Sequence, residues 1–138
     1  MSVGLKVNFF WYPLGDEDFV HSFFSTISYH LENGEWGTKY PILFDKLYQG
    51  KLSWKNAEKV IEELKDIQVK LKAFAPDKVI WDIDDLSLQP PWGNDISTDI
   101  TDLSNYFVTS EGEDVFEVFF KALNTAIENQ SNLTIEDL

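Results

Sequence analysis

Val3-Gly4-Leu5-Lys6-Val7-Asn8-Phe9-Phe10-Trp11-Tyr12 is the stretch on which the fold turns. Val3, Leu5, Val7, Phe9 and Trp11 alternate with Gly4, Lys6, Asn8, Phe10 and Tyr12. A period of two predicts a strand with one strongly apolar face over residues 3–12. Pro13 and Gly15 are expected to end it, and Asp16 offers an N-cap with Glu17 and Asp18 in the first helical turn. Phe19, Val20, Phe23, Ile27 and Leu31 recur at helical spacing, so 17–32 reads as an amphipathic helix stopped by Asn33-Gly34.

Residues 34–52 carry weaker signals: a turn or short strand at Glu35–Thr38, then a helical turn at Leu43–Tyr48 closed by Gly50. Ser53 caps a second helix whose apolar stripe is Ala57, Val60, Ile61, Leu64, Ile67, Leu71 and Phe74. Lys59–Glu63 and Asp66–Lys70 fall at i,i+4 on its outer face. After Ala75-Pro76-Asp77, the alternation of Val79, Trp81 and Ile83 with Ile80, Asp82 and Asp84 predicts a second strand over 78–83. A long irregular stretch follows, Asp85 to about Thr98, and loops of that length in compact domains are usually either functional or disordered. Tyr106–Val108 reads as a short strand within 105–109. Ser110 and Glu113 form a capping box for a third helix, and 130–138 reads as a loose tail. The expectation is one α+β domain over 1–138, a small, mostly antiparallel sheet packed against about three helices.

Charge is the most informative bulk property. Eleven lysines and no arginine face 24 carboxylates, a net of −13. Residues 82–138 hold thirteen acids against Lys121 alone, and between Asp82 and Glu117 ten carboxylates run without a basic residue. Such a field repels nucleic acid and anionic membranes and attracts cationic surfaces. No cysteine is present, so a disulfide framework, a thiolate metal site and a cysteine nucleophile are excluded. No secretion signal or stretch of roughly 18 apolar residues is read, and a cytoplasmic location is expected.

No phosphate-cradling glycine loop, nucleophile elbow or His-Glu-x-x-His motif occurs. His21 and His30 read as ordinary helical histidines. Asp82, Asp84 and Asp85 would in principle hold a hard cation or supply an acid–base pair, the basis for a small acidic metal-assisted hydrolase. Their spacing does not continue into a calcium loop, so no catalytic, cofactor or metal residue is assigned. The surface expected to bind a partner comprises Asp82, Asp84, Asp85, Trp92, Asp95, Asp99, Asp102, Glu111, Glu113 and Asp114. Trp92 lies in Pro90-Pro91-Trp92-Gly93 and reads either as a rigid interface anchor or as a lid folded back on the core. A general acidic interaction module is the remaining alternative.

The run from Trp81 through Pro90-Pro91-Trp92-Gly93, Ile96-Ser97, Ile100-Thr101-Asp102-Leu103, Asn105–Ser110 and the helix start at Gly112–Phe116 resembles the immunity protein 70 family of bacterial polymorphic toxin systems. With the opening strand, the likeness extends over nearly the whole chain. It implies a cytoplasmic antidote that binds the toxic C-terminal domain of a cognate toxin, with no catalysis and no cofactor. The acidic half suits a basic, nuclease-type toxin domain.

Overall fold

The structure, a computed structural model, describes residues 2–137. It is an α+β fold with four strands, β1 (Ser2–Val7), β2 (Phe10–Asp16), β3 (Lys51–Leu52) and β4 (Leu133–Asp137). Its helices are α1 (Glu17–Leu31), α2 (Ala57–Leu71) and α3 (Val115–Asn129). The strands form one antiparallel sheet in the order β2-β1-β4-β3.

The opening stretch is a hairpin rather than a single strand. Asn8 takes a left-handed φ of 53°, which Asn tolerates better than most residues, and Val7 pairs with Phe10 across the turn. The reversal leaves Phe9 at the tip, 99 % exposed, and separates it from the buried face of Val3, Leu5 and Val7. β2 runs through Pro13, which its edge position permits. Trp11 is half-buried and lies over Gly4, where a Cβ would meet its ring at 2.5 Å and the Tyr12 carbonyl at 2.8 Å.

Two further strand expectations fail. Residues 78–83 form no ladder, because α1 satisfies their backbone with side chains. Ser22 Oγ donates to the Ile80 carbonyl at 2.8 Å, and the Ile80 N–H donates to Thr26 Oγ1 at 3.1 Å. The Ile83 N–H donates to Ser25 Oγ at 3.2 Å, and His30 Nε2 lies 2.6 Å from the Lys78 carbonyl. These hydroxyls are a poor choice for a helix interior unless something uses them, and here they replace the sheet neighbour a strand would need. Residues 105–109 contribute a single bridge, Val108 to Asp114.

The expected loose tail is β4, the strand between β1 and β3. Leu133 pairs with both Val7 and Leu52 and is fully buried. An αL residue, Gln130 (φ 50°), ends α3 and turns the chain back into the sheet.

The core is aromatic. Phe23 stacks on Phe119 at 5.5 Å and meets Phe24, Phe107 and Phe116 edge-on at 5.3–5.4 Å, tying α1 to α3 and to the 107 segment. α2 packs on α3 through Ala57, Val60, Leu64, Ile67 and Leu71, while Ile61 is only half-buried. Ser53 accepts from the Lys55 N–H as expected, opening a short 3₁₀ turn before α2. Asp66 and Lys70 pair at 2.9 Å, but Glu63 turns away from Lys59 to receive the Leu43 and Ile42 N–H groups at 2.8 and 3.4 Å. Those contacts hold the helical turn at Leu43–Leu47. Glu32, buried at the end of α1, organises the segment just before it. One carboxylate oxygen receives the Gly37 and Thr38 N–H groups at 2.6 and 2.8 Å, and the other receives that of Tyr40 at 3.2 Å.

Candidate partner-binding site

The ten expected residues fall into three neighbourhoods. The first lies against α1. Asp82 Oδ1 is 3.2 Å from His21 Nε2, and Asp84 Oδ2 is 3.9 Å from the same nitrogen. On its other side His21 Nδ1 lies 3.1 Å from the Tyr48 hydroxyl, and Trp36 stacks over the imidazole. Burial, then the negative charges of Asp84 and Asp82, push the Tyr48 hydroxyl above its ordinary value. Asp85 faces away and accepts from the Ser87 hydroxyl and N–H, which hold its carboxyl below the usual range. The sequence reading missed His21 because helical spacing alone places it beside nothing. The hydroxyl run Ser22–Ser28 was the available sign that this face of α1 receives another segment.

The second neighbourhood centres on Trp92. Its indole N–H donates to the buried Tyr106 hydroxyl at 2.9 Å, and its ring meets Trp81 edge-on at 5.4 Å. It is therefore a lid, yet 39 % of it stays exposed. Trp92, Asp95, Ile96, Ile100 and Val108 line an open groove of about 340 Å³. A second groove, shared with Leu14, Asp16 and Ser110, meets it at Trp92. Asp99 is exposed beside Ser97. Asp102 is half-buried and spent on the loop, accepting from the Ser104 hydroxyl, from the Ser104 N–H at 2.8 Å and from the Thr101 hydroxyl at 3.0 Å. Burial raises its carboxyl, but those donors outweigh it and the net shift is downward.

The third neighbourhood is the start of α3. Asp114, and not Ser110, is its N-cap, accepting the Phe116 N–H at 2.9 Å. The expected capping box is displaced because Thr109 Oγ1 accepts the Glu113 N–H while the Ser110 N–H reaches the Leu14 carbonyl of β2. Glu113 meets Lys121 at 3.5 Å, and Glu111 is exposed. Of the ten, the exposed carboxylates without a lysine partner among the described residues are thus Asp84, Asp85, Asp95, Asp99 and Glu111, and Trp92 is exposed with them.

The shifted carboxyls give a pH dependence of stability. Burial raises Glu63 and Asp114 in the folded state, so each prefers its proton more when folded than unfolded. Stability therefore rises as pH falls through their folded values. Asp66 and Asp102 are held low, Asp66 first by its hydrogen bond from Lys70, so their contribution is present at neutral pH and lost on further acidification. Tm measured from neutral pH downward should pass through a maximum in mildly acid solution. Glu63→Gln should flatten the rise, and a monotonic fall in the wild type would contradict the assignment.

What fold and surface define is an acidic α+β domain with one aromatic core, its exposed carboxylates on loops in three neighbourhoods, one of them centred on a half-exposed tryptophan. The sequence profile described as immunity protein 70 matches residues 5–135, and the chain belongs to that family. No curated protein and no solved structure matches the chain. Among the described residues no helix is long and apolar enough to cross a membrane.

Proposed function

We propose that the protein neutralises a cognate toxin by binding its C-terminal domain, in the cytoplasm and without chemistry of its own, and that the toxin domain is basic and of nuclease type. The observation that carries this reading is the run of ten carboxylates from Asp82 to Glu117 without a basic residue, in a chain of the immunity protein 70 family. The grip is formed by Asp84, Asp85, Asp95 and Asp99 around Trp92, with Glu111 and Glu113 at the margin. The grooves beside Trp92 suit the aliphatic stem of a lysine or arginine whose head reaches Asp95 or Asp16. Asp82, Asp102 and Asp114 support this surface through the contacts that order its loops.

The test is co-expression with the cognate toxin domain, sought in the gene neighbouring this one, with affinity measured in parallel. Asp84→Lys/Asp85→Lys should slow association and weaken its salt dependence, since rim charges act on encounter. Trp92→Ala should cost about 2 kcal/mol of binding. The exposed hairpin tip supplies the contrasting arm. If Phe9→Ser abolishes protection while the Asp84/Asp85 and Trp92 variants fold and protect normally, the interface lies at the tip and the acidic surface is not the grip.

A further inference from the structure

We propose that His21, Asp82 and Asp84 form a binding site for a first-row divalent cation of the Zn²⁺ type, fastening the start of the acidic segment to α1. Among the described residues this is the one group of three imidazole and carboxylate donors whose ligand atoms lie within 4.8 Å of one another. The two separations from the imidazole nitrogen are close to those around a small tetrahedral ion. With metal–ligand bonds of about 2.0–2.2 Å, donors at tetrahedral corners stand about 3.4 Å apart. His21 Nε2 lies 3.2 Å from Asp82 Oδ1 and 3.9 Å from Asp84 Oδ2, which bracket that value. An imidazole nitrogen in the set favours Zn²⁺ and its neighbours over Ca²⁺ or Mg²⁺.

The surroundings supply what a ligating histidine needs. Tyr48 meets Nδ1, and its hydroxyl can accept from Nδ1–H, which leaves the Nε2 lone pair facing the carboxylates. Trp36 stacks on the ring and fixes its plane. No lysine pairs with Asp82 or Asp84 among the described residues; besides His21, Asp82 Oδ1 accepts the Asp84 N–H at 2.9 Å, which holds the two carboxylates side by side. Binding would place the metal between His21 Nε2 and the two carboxylates and leave a fourth position to water.

The experiment is calorimetric titration of the metal-stripped full chain with ZnCl₂, with Tm recorded with and without Zn²⁺. One equivalent should bind and raise Tm. His21→Ala and Asp84→Asn should each weaken binding at least about tenfold, while Asp85→Asn should leave it unchanged. Asp84 is 85 % exposed, so its variant reports on the site even if His21→Ala disturbs the fold. Absence of saturable binding, or binding that persists in Asp84→Asn, overturns the proposal. So does equal weakening in Asp85→Asn, which would mark diffuse attraction to an acidic surface.

Discussion

A chain cut after Ser131 should lose its cooperative unfolding transition altogether. The deletion removes β4, which lies between β1 and β3 and pairs with β1 from Val3↔Asp137 to Val7↔Leu133. It strips the neighbour from Leu5 and Val7 and detaches β3, whose ladder partner is β4. Losing a fully buried leucine side chain alone costs about 2–5 kcal/mol, and each unmade ladder bond adds about 1 kcal/mol. Together these equal the stability of an ordinary domain, about 5–15 kcal/mol. Near-UV circular dichroism and urea unfolding would show the loss. Leu133→Asp, which keeps the chain length, should behave similarly. A truncated chain that still unfolds in one sharp transition at a comparable midpoint would mean that β4 is dispensable.

The second large effect is at Glu32. Its carboxylate sits at the C-terminal end of α1, where the helix dipole disfavours negative charge, and it is 1 % exposed. Donors from the next segment compensate for both: three N–H groups and the Thr38 hydroxyl. Glu32→Ala leaves those donors without their acceptor and opens a void, and should cost about 3 kcal/mol. Glu32→Gln keeps one acceptor oxygen and should recover part of the loss. Hydrogen exchange should show Gly37, Thr38 and Tyr40 losing protection before α2 or α3 does. A cost of less than about 1 kcal/mol would show that solvent substitutes for the carboxylate.

The three helices were legible in the sequence because each buries one face against the core and so repeats its apolar residues every three or four positions. The sheet was legible only in part. Alternation at residues 3–12 is real, but it continues through a reversal, and Asn8 is the only local sign that the chain turns there. Alternation at 78–83 reflects a segment with one face on α1, and periodicity does not distinguish a sheet partner from a row of helical hydroxyls. In 130–138 the pair Leu133 and Ile135 was too short a signal to separate a strand from a tail. Nothing local predicts that Glu32 folds inward. At the candidate surface, the excess of charge was readable from composition. Which carboxylates are free, and that Asp102 and Asp114 are occupied inside the fold, depends on contacts between separate segments.

Because β1 begins at Ser2 and its partner β4 ends at Asp137, the sheet joins nearly the first residues described to the last. The hairpin and the helices rest on local contacts and form within microseconds, but closing the sheet requires a loop of more than a hundred residues. Until residues 133–137 have been synthesised, one side of β1 is an open edge bearing Leu5 and Val7, the kind of edge that recruits other chains. Newly made molecules therefore pass through a stage in which that edge is open to other chains. Completion of this one strand pairing closes that stage.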